Sequence, residues 1–357
     1  MDRIQSCGHM SDKGSLARFE GFASTVGKDI QSGMPLPTES DIRELLRAMT
    51  CDRPLFVLGA GASAPYVPTI ATLREQVVAV LRETLPIVYG PHDRSALHDS
   101  VLPQGLRDPA LDSVAVQQLL LNGLTKHSLE AIVHTALTPP ALTAAPPNYA
   151  VLRRVPARAG ILNYNTDGLA KRFCGDRHQV LDLHGTVDSS FTDALALRDI
   201  TQMRDFLNLT QAYGSDEEFE VTPSTKFLYP VPEPPDFLGD PEDSSLGDIL
   251  TKPDAVIIIG YSFGRTDRGL SDAASFEHFV SVTRGLQRPL IVVDPNGHEL
   301  TGSFGEATEN HNVTLVPAYW NHLSTCILEV MRRVTLEDLA ASVHHVDAIL
   351  RCYESRL

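Results

Sequence analysis

Four short pieces of this chain combine reactive or polar side chains with glycines that let a ligand come close. They are Gly59-Ala60-Gly61-Ala62-Ser63, Asn165-Thr166-Asp167, His184-Gly185 and Gly260-Tyr261-Ser262. A glycine turn can cradle a pyrophosphate, because its backbone bends tightly and leaves room for the phosphate oxygens. An amide such as Asn165 can hold a water or a ribose hydroxyl, while Asp167 anchors the loop or a carboxamide. Imidazole titrates near neutrality, so His184 suits a general base or a partner for ribose hydroxyls. The hydroxyl of Ser262 and the amides around Gly260 suit a phosphate. Asp294-Pro295-Asn296 is a further candidate, for a ribose.

Each piece also has a structural reading. Gly59, Gly61 and Ala64 fit GxGxxA, a pattern that plain tight turns also satisfy. Asn165 and Asp167 fit an Asx turn capping the next helix, and Asp167 can serve both roles. Gly260-Tyr261-Ser262 fits a strand-to-helix cap, and Asp294-Pro295-Asn296 an Asx-Pro turn. A hydride-transfer enzyme would place an acid at the end of a second strand roughly 20 residues after the glycines. Here that position falls near Arg82-Glu83 in a helical pattern, which argues against hydride transfer.

The elements that must position these pieces follow from apolar patterning. Pro54 to Leu58 reads as a buried strand entering the glycine turn. A helix is expected from about Thr69 to Leu85, with Leu73, Val77, Val80 and Leu81 on one face. Ala159 to Leu162 and Val180 to Leu183 read as strands entering the Asn165 and His184 turns. Ala255 to Ile259 and Leu290 to Val293 are β-branched runs suited to central parallel strands covered on both faces. Val313 to Val316 is another strand. Thr38 or Ser40 caps a helix through Leu45 and Leu46. The sum is an α/β, Rossmann-like doubly wound parallel sheet. In such sheets the turns after the strands line up along one edge, where ligands bind.

Three regions fall outside that pattern. Residues 1–37 are polar and Gly/Ser-rich and read as an arm, leaving 38–320 as the main domain. A helical block at 95–138 lies within an insertion spanning 95–150, closed by Ala144-Ala145-Pro146-Pro147. Residues 186–250, acidic and Pro-rich, read as a small irregular subdomain or lid with one strand at 226–229. The segment 321–357 carries two amphipathic helices, at about 321–333 and 335–351. Their apolar set is Val334, Leu336, Leu339, Val343, Val346 and Leu350. Part of it must pack on the domain, and any exposed remainder would serve an oligomer or partner contact.

Bulk properties narrow the function classes. The 357 residues are 43 % apolar, enough for a full core. A formal net charge of -15 argues against general nucleic-acid binding, which needs a Lys/Arg surplus. The five cysteines, Cys7, Cys51, Cys174, Cys326 and Cys352, are scattered and odd in number, as expected of reduced thiols in a cytoplasm. No CxxC is present, so no metal is expected. No apolar run approaches the roughly 20 residues of a membrane span, and no signal peptide is read at the N-terminus.

The order GAGAS, NTDG, HG and GYS resembles the sirtuin superfamily of NAD-dependent enzymes, over roughly residues 54 to 297. The resemblance implies that Ala60 and Ser63 face the phosphates of NAD. It places Asn165 and Asp167 at the nicotinamide ribose and amide, makes His184 the catalytic histidine, and gives Ser262 and Asn296 the adenosine half. Two departures stand out. The paired CxxC of the deacylases' zinc ribbon is absent, and the GIPDFR-type stretch is replaced by Val67-Pro68-Thr69-Ile70-Ala71-Thr72-Leu73-Arg74. The chain looks more like the zinc-less sirtuin-like NAD hydrolases of bacterial anti-phage systems. That likeness implies cleavage of NAD to nicotinamide and ADP-ribose, a homo-oligomer, and a motor ATPase or nuclease partner. Two alternatives stay open: an NAD-dependent deacylase or ADP-ribosyltransferase, and a non-catalytic NAD or ADP-ribose sensor.

Overall fold

The computed structural model describes residues 35–69, 142–183, 253–261, 265–266, 269–270, 276–277, 279–280, 283–285, 287–297 and 304–357. The arm before residue 35, nearly all of the helix expected at 69–85, the helical block at 95–138, His184, the irregular region at 186–250 and Ser262 lie outside the described residues.

Six parallel strands form one sheet. They are β1 (Pro54–Leu58), β2 (Gly160–Asn163), β3 (Gln179–Asp182), β4 (Ala255–Ile259), β7 (Leu290–Val293) and β8 (Val313–Val316). The two-residue strands β5 (Arg265–Thr266) and β6 (Gly269–Leu270) pair with each other separately. Strand order in the large sheet is β3-β2-β1-β4-β7-β8. The winding reverses between β1 and β4, which makes that junction the switch point of a doubly wound sheet. β1, β4, β7 and β8 run as their apolar patterns predict, while β2 and β3 are each displaced by one residue from the expected bounds.

Register brings the strand ends level. Asp182, Asn163, Leu58, Ile259, Val293 and Val316 form one row of neighbours across the sheet. Every turn that leaves the carboxyl edge starts just beyond that row. This is how motifs scattered along the chain come to share one edge.

The period-2 alternation of strand side chains divides the core between two faces. Phe56, Leu58, Ile161, Val180, Ile257, Ile259, Ile291, Val293 and Val316 face one layer. Leu55, Val57, Leu162, Tyr164, Val256, Ile258, Leu290 and Val292 face the other, where Phe279 and Phe304 cover them. Seven helices are used below: α1 (Glu39–Met49), α2 (Ala60–Ser63), α3 (Pro147–Leu152), α4 (Leu169–Cys174), α5 (Trp320–Val330), α6 (Leu336–Ala341) and α7 (Val343–Glu354). All seven contribute apolar side chains to the first layer, α2 through Ala62. Thr38 caps α1 through a reciprocal box with Asp41, as its position before the apolar run predicts.

Two expectations change. The glycine motif itself coils into α2, beginning at Ala60. The second C-terminal helix is two, because Ser342 adopts an extended conformation (φ -118°, ψ 121°) that separates α6 from α7. That break lets both helices turn their apolar faces inward. Leu336, Leu339 and Val346 are buried, Val334 and Leu350 pack partly against the core, and only Val343 of the set is exposed. Among the described residues no helix is long and apolar enough to cross a membrane.

Candidate functional site

The glycines of the first motif are required by the neighbouring turn. Gly59 N–H donates to the carbonyl of Ile259 at 3.0 Å, and Gly61 N–H to that of Gly260 at 3.0 Å. A Cβ on Gly59 would stand 2.3 Å from Cβ of Tyr261, and one on Gly61 would stand 2.8 Å from Cα of Gly260. Gly260 has φ +57°, a left-handed conformation that glycine adopts without strain. The turns after β1 and β4 thus interlock across the switch point. The amides of Gly59 and Gly61, glycines read from the sequence as letting the backbone approach a pyrophosphate, are engaged with protein carbonyls. Ala60, partly exposed at the start of α2, stays at the surface of the crevice.

Ser63 sits beneath that surface, fully buried. Its hydroxyl donates to Oδ2 of Asp167 and lies 2.6 Å from the phenol oxygen of Tyr149. It also accepts from Nδ2 of Asn165 at 3.1 Å. A hydroxyl has one hydrogen and two lone pairs. With the hydrogen given to Asp167, both lone pairs are filled, one by Asn165 and one by the Tyr149 O–H. Every hydrogen-bonding position of the Ser63 hydroxyl is thus taken by a protein partner.

The Asn165 turn is braced from three sides. Asn165 donates its second amide hydrogen to the carbonyl of Gly59 at 2.7 Å. Its own N–H donates to Oδ1 of Asn163 at 3.2 Å, and Nδ2 of Asn163 donates to the Asn165 carbonyl at 3.0 Å. Asn163 also reaches Oδ1 of Asp182 at 2.6 Å, at the end of β3. Both amide hydrogens of Asn165 are thus committed, and its Oδ1 is the polar atom that remains to accept a hydrogen bond.

Asp167 performs both roles that its sequence position allows. Oδ1 accepts the Leu169 N–H at 2.8 Å, an Asx turn opening α4, while Oδ2 accepts from Ser63. Gly168 at φ +70° makes the bend between them. Burial pushes the carboxyl up from 3.8 to about 6, against the pull of those two hydrogen bonds. Burial, and then the charge on Asp167, hold the Tyr149 phenol far above its ordinary value, so it stays a donor.

Two residues of the network were not singled out from the sequence. Tyr149 is one. Asn148 is the other: its Nδ2 donates to the carbonyls of Ala62 and Ala64 at 2.8 and 2.7 Å and so clamps α2. Asn148 is held in turn by Trp320 and Ser324 of α5. The available signal was Pro146-Pro147: a proline at the first position of a helix marks its start as well as the end of what precedes it.

The remaining candidates divide. Asp294 accepts the Asn296 N–H at 2.8 Å, the Asx-Pro turn of the structural reading, and burial raises its carboxyl. Its turn still leaves the same edge, beyond Gly260. Tyr164 and Tyr261, at the ends of β2 and β4, stack with ring centroids 4.6 Å apart. Leu183 is the last described residue before His184 and follows Asp182 in the edge row. His178 is structural: its Nδ1 accepts from Ala159 N–H, its Nε2–H donates to Leu152, and burial lowers its basicity. Among the described residues no three His, Cys, Asp or Glu side chains converge. The chain matches no protein-family model and no curated protein.

Proposed function

We propose that the chain cleaves NAD between nicotinamide and ribose, giving nicotinamide and ADP-ribose. One observation carries the reading. The glycine turn after β1 and the Asn165–Asp167 turn after β2 are joined by hydrogen bonds at the switch point of a doubly wound sheet, the place where such sheets bind dinucleotides. The bond would break through an oxocarbenium-like state, as in glycoside chemistry. Water adds to the anomeric carbon, nicotinamide leaves with the bonding electron pair, and one proton goes to solvent. Asn165 Oδ1 would accept from the attacking water or a ribose hydroxyl. His184 would take the proton. Ala60, Gly260, Ser262, Asp294 and Asn296 would line the remainder of the dinucleotide. No metal takes part.

Restraint of such an activity is part of the same proposal, since free turnover would drain the cell that makes it. A homo-oligomer and a motor ATPase or nuclease partner in anti-phage defence fit that need. The test is incubation of the whole chain with NAD, alone and with its neighbouring gene products, while nicotinamide release is followed by chromatography. Release that is lost in His184→Ala supports the proposal. Absence of release under every condition, with the chain folded, overturns it.

A second reading is favoured by how completely Ser63 and the Asn165 amide are consumed by protein partners. On it, the edge binds NAD or ADP-ribose without turnover. Titration calorimetry showing saturable binding and unchanged ligand would support this reading over the first.

A further inference from the structure

We propose that Asn163 and Asp182 are positioning residues for Asn165, holding its backbone so that Oδ1 meets the reacting water or ribose hydroxyl. The inference rests on the reaction proposed above. Asn163 is the last residue of β2 and is fully buried. Its side chain engages both backbone polar groups of Asn165: Oδ1 accepts the N–H at 3.2 Å, and Nδ2 donates to the carbonyl at 3.0 Å. Only one orientation of the amide can do this. Turned over, Nδ2 would face the N–H and Oδ1 the carbonyl, donor against donor and acceptor against acceptor.

Asp182, the last residue of β3, anchors the amide in that orientation. Its Oδ1 accepts the second hydrogen of Asn163 Nδ2 at 2.6 Å. A carboxylate only accepts, so it admits the NH2 end of the amide and refuses the oxygen. The main chain reinforces the junction, because the Leu183 N–H donates to the Asn163 carbonyl at 2.8 Å. Asn163 therefore ties the Asn165 turn to the strand that leads, two residues after Asp182, to His184. The Asn165 side chain is held separately, by Gly59 and Ser63. Backbone and side chain thus have different partners, and Asp182 acts through the backbone ones.

The test is steady-state nicotinamide release by the whole chain, with the folded fraction measured on each sample. Asp182 is half-buried, so its variants are expected to fold. Asp182→Ala should lower kcat roughly 10- to 10²-fold, the scale of a misplaced reacting group. Its KM should stay within about twofold of the wild type, because the interaction acts on the reacting geometry and not on uniform binding. Asp182→Asn keeps a carbonyl acceptor at the place of Oδ1 and should bring kcat back to within about fivefold of the wild type. Gly285→Ala, on the turn before β7, is the destabilised control. Its kcat per folded molecule should match the wild type. Active wild type with unchanged kcat in Asp182→Ala overturns the proposal and leaves the reaction standing, as does an equal loss in the Ala and Asn variants. No release from any of the four chains overturns the reaction and this proposal together.

Discussion

Ser63, on the turn after β1, donates its one hydroxyl hydrogen to Asp167, on the turn after β2, across 104 residues of sequence. Around this bond the carboxylate receives Ser63 and Leu169, and the serine receives Tyr149 and Asn165. A buried charge is costly unless each of its lone pairs is answered. The network therefore fixes the relative placement of the two turns that the proposed reaction needs.

Removing the serine hydroxyl leaves three buried partners unanswered at once: Oδ2 of Asp167, an amide hydrogen of Asn165 and the Tyr149 O–H. Ser63→Ala is expected to cost roughly 2–4 kcal/mol, more than the loss of a single neutral hydrogen bond. Urea unfolding measures it. A cost under about 1 kcal/mol would mean that water replaces the hydroxyl and that the network is not tightly held.

Stability should fall as pH rises from about 4 to 6. Asp167 has a folded value near 6 against 3.8 unfolded, so between those limits the folded chain binds more protons. Its contribution is neutral below the window and reaches a penalty of roughly 3 kcal/mol above it. Asp182 and Asp294 are raised by burial as well and act in the same direction. Urea midpoints from pH 4 to pH 8 should decline in the wild type and decline less in Asp167→Asn. Equal slopes in the two proteins would place the ionisation elsewhere.

The strands were legible in the sequence because a central parallel strand buries both faces. Ala255–Ile259 has to be apolar throughout, and no other element explains five such residues between turn signals. The edge row followed, because the motifs begin where those runs end. Tyr149 and Asn148 were not legible. Their contacts to Ser63, Ala62 and Ala64 span more than eighty residues, and a tyrosine in a short helix carries no mark of its distant partner. The roles of the glycines were half legible. Close backbone approach was expected, but a pattern within one turn cannot say whether a ligand or the adjacent turn makes that approach.

Positive φ and crowding can be separated at two glycines. Gly260 has φ +57° and would place a Cβ 2.5 Å from Cα of Gly61. Gly285 has φ +73° with nothing within 4 Å of its Cβ position. Gly285→Ala should cost about 1 kcal/mol, the left-handed penalty alone. Gly260→Ala should cost more than about 3 kcal/mol, because backbone must move. Similar thermal shifts for the two variants would show that the turns are not interlocked.

Asn148 and Asn165 both hold the glycine turn with two side-chain hydrogen bonds, but only Asn165 keeps an acceptor at the proposed reaction centre. Asn148 spends Nδ2 on Ala62 and Ala64, and its Oδ1 lies 3.5 Å from the Ser324 hydroxyl. Asn165 spends Nδ2 on Gly59 and Ser63 and retains Oδ1. Both alanine variants should lose stability, since Asn148→Ala strips the side-chain donor from the Ala62 and Ala64 carbonyls and Asn165→Ala strips one from the Gly59 carbonyl and one from the Ser63 hydroxyl. Turnover should separate them. At saturating NAD, with the folded fraction measured on the same sample, nicotinamide release should fall at least about 10²-fold in Asn165→Ala, the scale of a lost positioned catalytic group. In Asn148→Ala it should stay within about threefold of the wild type once the folded fraction is taken into account. Equal losses in the two variants would reduce Asn165 to a clamp and leave the water-positioning role to another residue.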